Sequence, residues 1–208
     1  MNVKEAYKDW SIKYDTNENK TRDLEGVALR SILSTINFNT VLEFGCGTGK
    51  NTIWLKENAQ KIIAADFSEE MIAKAKEKIQ APHVTFTIAD INKPWDFSHQ
   101  KFDLVSFSLV LEHIENLEPV FEKINQTTNE KAFVYIGELH PFKQYTGSKA
   151  RFMTEAGEQV VTCFTHNISA FIAAAKKNDF KLFLLEEWFD NNDKTQIPRI
   201  LTLLFQKN

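Results

Sequence analysis

Short apolar runs alternate with polar, helix-like segments along the chain after residue 40. The runs are rich in Val, Ile and Phe, which is typical of buried strands. Strands that alternate with helices predict repeated βα units and a mostly parallel sheet, so we expect an α/β fold. The predicted strands are residues 41–44, 62–65, 84–88, 102–107, 132–136, 180–185 and 200–205.

Two helices follow from apolar residues that recur at helical spacing. Ser68 precedes the first helix, and Glu69 and Glu70 occupy its first turn, where acids face the positive helix end. The second helix comes just before the sixth predicted strand. The apolar faces are Met71, Ile72, Ala75 and Ile79 in the first helix, and Ile168, Phe171, Ile172 and Ala175 in the second.

The two remaining long segments carry no strand signal. Residues 1–37 contain helical apolar spacing from Leu24 onward, and we expect them to form an N-terminal helical cap. Residues 141–166, between the fifth and sixth strands, lack clear periodicity, and so long a connection is usually functional or mobile. We interpret this segment as a substrate lid. Residues 1–208 are expected to form a single domain, since two cores would each be small.

Composition and charge exclude several classes of partner. The 208 residues have a formal net charge of −3, whereas a protein that binds nucleic acid usually carries a stripe of Lys and Arg. No run of 18 apolar residues is present and the chain starts with a polar segment, so we expect no membrane partner and a cytoplasmic location. Two cysteines without paired spacing support neither a disulfide framework nor a zinc site of cysteines. The sequence leaves the oligomeric state open.

A glycine-rich loop, GCGTG, follows the first predicted strand. A sharp turn from strand to helix needs unusual backbone angles, and a ligand that approaches closely leaves no room for a Cβ atom. The dinucleotide-binding pattern G-x-G-x-x-G would place its third glycine at position 50, which is Lys50. A phosphate loop is also disfavoured, because Asn51 stands where Ser or Thr is required. Taken alone, the loop is either a ligand site or a tight turn without a ligand.

Acidic residues end the next two strands. Asp66 follows the second strand at the position where a βαβ unit places a carboxylate that accepts hydrogen bonds from ribose hydroxyls. Its alternative role is to cap a helix. Asp90 follows the third strand, at the edge of the sheet where ligands of open α/β folds bind.

Four segments are specific in combination: VLEFGCGTG, AADFSEEMI, FTIADI and FDLVSFSLVLEHI. From about residue 38 to the C-terminus the chain resembles the class I S-adenosylmethionine-dependent methyltransferases, in particular the small-molecule enzymes of methyltransferase type 11. The resemblance implies a Rossmann-like, seven-stranded, mostly parallel sheet with helices on both faces and a reversed last strand, for which RILTLLF is well placed. It implies S-adenosylmethionine as cofactor and S-adenosylhomocysteine as product.

The same resemblance implies roles for individual residues. The glycine loop would lie against the methionine moiety, Asp66 would hold the ribose hydroxyls, and Asp90 would read the adenine edge. An aromatic segment near the N-terminus would fold over the cofactor carboxylate or, alternatively, pack on the sheet. The expected cofactor-binding residues are Tyr14, Glu43, Gly45, Cys46, Gly47, Gly49, Asp66, Phe67, Met71, Asp90, Ile91, Ser108 and Val110.

A methyltransferase must align its acceptor with the sulfonium methyl group, exclude water and manage the acceptor's proton. No metal is expected, since the acids and histidines lack compact ligand spacing such as H-E-x-x-H. SFSLV differs from the N-P-P-Y sequence of enzymes that methylate planar amide or adenine nitrogens, and no Pro-Cys nucleophile for cytosine is present. We therefore expect transfer to an oxygen or nitrogen atom of a small molecule.

Histidine is the natural proton acceptor near neutral pH. His140, after the fifth strand, is the first candidate for a catalytic base that also contacts the substrate, although a role in the wall of the cavity is an alternative. His113 is the second candidate, with a role in ordering a loop at the cofactor edge as its alternative. Tyr7, Arg151 and His166 are further candidates for substrate binding, although each is also compatible with a surface or packing role.

Two functions of other classes stay open. An oxidoreductase with a nucleotide cofactor shares the βαβ platform and an acid after the second strand, although Lys50 argues against it. A protein that binds S-adenosylmethionine without catalysis, and uses the lid to contact a partner, is the other alternative.

Overall fold

The structure is a computed structural model that describes residues 18–97, 99–148, 151–154, 157–160 and 162–208. Helices and strands alternate along most of this range. The helices are α1 (Lys20–Leu33), α2 (Thr52–Leu55), α3 (Glu69–Lys78), α4 (Glu118–Thr127), α5 (Pro141–Tyr145) and α6 (Ile168–Lys177). The strands are β1 (Thr40–Phe44), β2 (Lys61–Asp66), β3 (Val84–Ile88), β4 (Phe102–Ser108), β5 (Thr128–Leu139), β6 (Arg151–Thr154), β7 (Gly157–Val160), β8 (Phe180–Trp188) and β9 (Ile200–Lys207).

Seven strands form one sheet in the order β3-β2-β1-β4-β5-β9-β8. The pairs from β3 to β5 are parallel, whereas β9 runs antiparallel to both β5 and β8. The predicted seven-stranded sheet with a reversed last strand is therefore confirmed. The strand order reverses between β1 and β4, which is where open α/β sheets bind their ligands.

Alternate residues of the central strands fill two separate cores. Leu42 and Val105 face the core beneath α4 and α6, whereas Val41 and Leu104 face the core beneath α1 and α3. This alternation follows from the period of two in a strand, and it is possible only because both faces of the sheet are covered. Helices on both faces are thus confirmed.

Helix α3 begins where its sequence predicts. Ser68 is the N-cap, and its Oγ accepts a hydrogen bond of 3.2 Å from the backbone N–H of Met71. Glu69 and Glu70 lie in the first turn, and Met71 and Ile72 are buried. A cap that satisfies an otherwise unpaired N–H group explains why the helix begins here.

The segment between β5 and α6 contains more regular structure than its sequence indicated. It begins with α5 and continues with β6 and β7, which pair antiparallel as a separate two-stranded sheet. Elements of four or five residues are too short to display a period in sequence, which explains why none was predicted. Its role as a lid, the N-terminal cap and the single-domain division stay predictions.

No helix within the described ranges is both long and apolar enough to span a membrane. The cytoplasmic location stays a prediction.

Asp103 connects three neighbouring strands at the amino edge of the sheet. Its Oδ2 accepts hydrogen bonds from the backbone N–H groups of Thr40 (3.0 Å) and Asn39 (3.1 Å), and its Oδ1 accepts one from Asn129 Nδ2 (2.8 Å). Burial works to raise the pKa of Asp103, yet these hydrogen bonds lower it overall. The carboxylate form is therefore stabilised in the folded state.

Replacing Asp103 with Ala is expected to lower the free energy of unfolding by about 1–3 kcal/mol, because N–H groups of the β1 entry lose their acceptor. Since the folded pKa is lowered, this contribution is present above the unfolded pKa and is lost as the pH falls through the folded pKa. Urea unfolding of both proteins at neutral and acidic pH measures the difference. The exposed Asp96→Ala is the matched control and should change stability little at either pH. If D103A and wild type differ in the free energy of unfolding by the same amount at both pH values, this assignment is contradicted.

Candidate functional site

A cavity of about 470 Å³ opens at the carboxyl edge of the sheet. The turns that follow β1, β2, β3 and β4 form its walls, because the carboxyl ends of parallel strands meet at one edge. Most of the residues predicted to bind a cofactor line it: Gly45, Gly47, Asp66, Phe67, Met71, Asp90, Ile91, Ser108 and Val110. The structure therefore brings together residues that are up to 65 positions apart in the sequence.

The glycine loop has a backbone that other residues adopt with difficulty. Gly45, Gly47 and Gly49 have φ angles of +74°, +53° and +82°. A Cβ atom on Gly45 would lie 2.2 Å from Cγ2 of Val110, so the backbone of the loop after β1 packs directly against the Val110 side chain of the turn after β4. At Gly47, in contrast, no atom lies within 4 Å of a built Cβ, and the backbone faces open space.

Asp66 joins the glycine loop to helix α3. Its Oδ2 accepts a hydrogen bond from Gly47 N, and its Oδ1 accepts one from Ser68 N, both of 2.9 Å. Burial raises the pKa of Asp66, although N–H groups of Ser68, Gly47 and Phe67 act in the opposite direction. The helix-capping interpretation and the ligand interpretation are compatible, since each carboxylate oxygen has a further lone pair directed elsewhere.

Asp90 and Ile91 form the wall on the side of β3. Asp90 Oδ1 accepts a hydrogen bond of 2.9 Å from Asn92 N, which closes a tight turn. The Ile91 carbonyl accepts hydrogen bonds from Trp95 Nε1 (3.3 Å) and Lys123 Nζ (2.5 Å). These anchors hold the turn against the core, so its polar edge is presented to the cavity without rearrangement.

Glu138, a residue that sequence reasoning missed, fixes the turn after β4. Its Oε1 accepts hydrogen bonds from Val110 N (3.0 Å) and Leu111 N (2.7 Å), and its Oε2 accepts one from Glu112 N (3.3 Å). Burial and the neighbouring charge of Glu112 raise the pKa of Glu138 well above its usual range. No motif marks Glu138. The sequence signal that could have found it was its position two residues beyond the fifth predicted strand.

Three predicted cofactor residues, Glu43, Cys46 and Gly49, lie behind the cavity wall. Glu43 is buried on β1, where its Oε2 accepts a hydrogen bond from Thr52 Oγ1, and burial raises its pKa to about 8. Burial also raises the pKa of the Cys46 thiol well above its usual range. These residues support the loop from beneath. Tyr14 lies outside the described residues.

His140, the first candidate for a base, is fully buried and has partners at both ring nitrogens. Its Nε2 lies 3.0 Å from Glu187 Oε1, and its Nδ1 accepts a hydrogen bond of 3.2 Å from Phe142 N. It therefore caps α5, and it is outside the cavity wall formed by the described residues. Burial lowers the pKa of His140, although Glu187 opposes this change. Its catalytic role stays a prediction.

The other histidine candidates lie close to the turn after β4. His113 lines the cavity, and its Nδ1 donates to the Thr162 carbonyl over 3.1 Å. His166 Nε2 donates to the Ile114 carbonyl over 2.7 Å. Both connect this turn to the end of the predicted lid. Tyr7 and the side chain of Arg151, the two remaining candidates, lie outside the described part of the chain.

No group of three or more His, Cys, Asp or Glu side chains in the described residues is placed to hold a metal ion. What the site offers instead is a wall with the buried carboxylate of Asp66, the exposed carboxylate of Asp90 and an accessible backbone loop.

Comparison with known proteins identifies the segment that forms this cavity. Residues 41–131 match the family model of a methyltransferase domain. Phosphoethanolamine N-methyltransferase 3 of Arabidopsis thaliana is 31% identical over 129 residues, which are 58% of this chain and 26% of that protein. The chain covers 49% of a second curated relative. It thus spans less than half of the length of these two relatives.

Two solved structures share the fold over nearly the whole chain. The complex of DhpI with S-adenosylhomocysteine has a TM-score of 0.78 at 20% identity, covering 98% of this chain and 94% of that one. The N-methyltransferase NodS of Bradyrhizobium japonicum has a TM-score of 0.74 at 15% identity, covering 100% and 99%. The narrower likeness to methyltransferase type 11 stays a prediction. Residues 41–131 thus match a methyltransferase domain, and the described chain shares the fold of solved S-adenosylmethionine-dependent methyltransferases.

Proposed function

We propose that this chain transfers the methyl group of S-adenosylmethionine to an oxygen or nitrogen atom of a small molecule. The observation that carries the proposal is that the glycine loop, Asp66 and Asp90 line one and the same cavity. When bound, the cofactor supplies an electrophilic methyl group on a sulfonium, which a lone pair of the acceptor displaces in line.

The residues of the cavity fit this cofactor in three ways. The backbone at Gly47 is open toward a ligand, because no atom lies within 4 Å of a built Cβ. Asp66 is a buried carboxylate on the wall with lone pairs for ribose hydroxyls. Asn51, which donates a hydrogen bond of 3.2 Å to the lining residue Ser108, has a buried Oδ1 atom without a hydrogen-bond partner among the described residues. A site with this many acceptors suits a ligand with hydroxyl and ammonium donors.

The roles expected of the wall residues follow their positions. Gly45–Gly49 would hold the methionine moiety, and Asp66 the ribose. Phe67 and Met71 would contact the adenine, whose edge Asp90 and Ile91 would read. Ser108 and Val110 would lie beneath the sulfonium.

His113 is placed better than His140 to receive a proton from the acceptor. His113 lines the cavity, whereas His140 is fully buried and is outside the cavity wall formed by the described residues. We therefore assign His113 to the acceptor side, and His140 to the support of α5.

A lid role for residues 141–166 is supported by contacts at its end. Phe164 N donates a hydrogen bond of 2.7 Å to the Glu112 carbonyl, and the Thr162 carbonyl accepts from His113. The segment is thus attached to the turn that borders the cavity, and movement of the segment would open or cover the acceptor side.

A small-molecule acceptor agrees with the name of one relative, phosphoethanolamine N-methyltransferase 3, and NodS is also named an N-methyltransferase. The formal net charge of −3 gives no support for nucleic acid as acceptor.

Isothermal titration calorimetry of the purified chain with S-adenosylmethionine, S-adenosylhomocysteine and NADH tests the proposal. We expect both sulfur compounds to bind and NADH not to bind. Transfer of a labelled methyl group is then screened against small amines, phenols and carboxylates. No binding of either sulfur compound would overturn the proposal, and NADH binding would favour an oxidoreductase. Binding without transfer to any acceptor would favour a non-catalytic protein.

Replacing Gly45 with Ala is expected to weaken S-adenosylhomocysteine binding by about tenfold or more. The new methyl group would strike Val110 and sit at a positive φ, so the loop must move. Calorimetry measures the affinity. Gly147→Ala is the matched control, because Gly147 also has a positive φ (+93°) while nothing lies within 4 Å of its built Cβ. Equal affinity losses in G45A and G147A would contradict the assignment.

Replacing Asp66 with Ala is expected to weaken S-adenosylhomocysteine binding by about 10- to 100-fold, because the carboxylate both accepts from the ribose and fixes Gly47. An adenosine titration distinguishes the two effects. If Asp66 holds the ribose, D66A should lose affinity for adenosine as well, whereas an effect on the methionine end alone would leave adenosine binding unchanged and contradict the ribose role.

A further inference from the structure

Beneath the methionine end of the cavity, buried polar side chains connect α1 to β4 and β5. Glu25 on α1 is 2% exposed. Its Oε2 accepts a hydrogen bond of 3.0 Å from Asn51 Nδ2, and its Oε1 accepts one of 3.1 Å from Tyr135 Oη. Asn51 Nδ2 also donates to Ser108 Oγ over 3.2 Å. We call Glu25, Asn51, Ser108 and Tyr135 the Glu25 cluster.

The cluster reaches the cavity through one member. Ser108 lines the cavity, and Glu25 lies directly behind it, joined by Asn51. The sheet leaves space for this carboxyl group: a Cβ atom on Gly137 of β5 would lie 2.5 Å from Glu25 Oε1 and 2.7 Å from Tyr135 Oη. Any larger residue at position 137 would displace Glu25.

An acid is an unusual residue for a place as buried as this. Burying a carboxylate is costly unless a cation compensates it, and a second buried acid, Glu43, adds repulsion from β1. Within the described ranges, the ion pairs include neither of these carboxylates, and Lys50 is paired with Asp23. Asn51 Oδ1 is also buried without a partner there. The surroundings of Ser108 therefore carry an excess of acidic groups and hydrogen-bond acceptors.

The ligands of the proposed function differ in charge at this point. S-adenosylmethionine carries a sulfonium, whereas the sulfur of S-adenosylhomocysteine is neutral, and both share the same ammonium and carboxylate. A carboxylate behind Ser108 consequently attracts the substrate form more strongly than the product form.

We infer that Glu25 is a positioning residue that makes the site prefer S-adenosylmethionine over S-adenosylhomocysteine, by placing a buried negative charge behind Ser108. The inference rests on the proposed function. It adds a residue outside the glycine loop that distinguishes the substrate from the product. Product release is thereby favoured once the positive charge has left the sulfur.

The preference for S-adenosylmethionine should depend on pH, because Glu25 can gain a proton. Burial raises the pKa of Glu25, while hydrogen bonds from Ser108, Asn51 and Tyr135 and the charge of Lys50 oppose it. Glu43 faces the cluster from β1, and the charge of Glu25 raises the pKa of Glu43. The Glu25 carboxyl group is neutral below its own pKa, so the preference for the cationic ligand is lost as the pH falls.

The test replaces Glu25 with Gln, which has the same shape. The Tyr135 hydroxyl can still donate to the Gln carbonyl, and Asn51 can rotate its amide to accept from the new N–H group, using the Oδ1 atom that lacks a partner among the described residues. Calorimetry gives the dissociation constants of both ligands for wild type and variant. We expect the affinity for S-adenosylmethionine to fall about tenfold in E25Q, and that for S-adenosylhomocysteine to change less than about twofold. Sinefungin, which bears an ammonium in place of the sulfonium methyl, should weaken like S-adenosylmethionine.

Glu77→Gln on the exposed side of α3 is the control for removal of one negative charge, and should leave both constants unchanged. Equal losses for the two ligands in E25Q, or no change in either, would overturn the inference. A second measurement needs no variant: the affinity ratio of the two ligands for wild type, determined between about pH 5 and 9, should decrease toward low pH. A constant ratio across this range would also overturn it. Failure of wild type to bind either ligand is a different result, which refutes the proposed function itself.

Discussion

The parallel pairing of β1 with β2 on one side and β4 on the other is the constraint on which the site depends. Phe44 at the end of β1 is level with Ala65 of β2 and with Phe107 of β4. The next residues along each strand, Gly45, Asp66 and Ser108, therefore meet at one edge. A register slip of one residue would turn Ser108 to the opposite face of the sheet and separate the Glu25 cluster from the cavity.

Buried acids dominate the electrostatics of this edge, and each is held by a particular set of donors. Asp66 and Glu138 accept from backbone N–H groups, while Glu43 and Glu25 accept from side chains. Hydrogen bonds of this kind satisfy the carboxyl oxygens and oppose the rise in pKa that burial causes. The same groups thus shape the loops around the cavity.

The reversed strand explains why His140 is placed differently from its prediction. Because β9 is antiparallel to β5 and to β8, the ends of β5 and β8 lie at the same edge, on either side of β9. Glu187 near the end of β8 thereby reaches His140, which follows β5. The sequence located His140 correctly at the carboxyl edge, but its partner came from a strand that is 47 residues away.

The local pattern of the sequence was sufficient for the strands, the capped helix α3, the glycine loop and the two acids that follow β2 and β3, because periodicity, capping and glycine spacing are properties of neighbouring residues. The reversed strand and the cofactor required the family resemblance as well. Tertiary structure alone decided the use of Glu25, Glu138 and Asn51. Their roles depend on contacts across 26 to 110 residues, formed only when α1, β4 and β5 pack together. A carboxyl group acquires its environment from the chain segments that surround it, and no spacing along the sequence encodes which segments those will be.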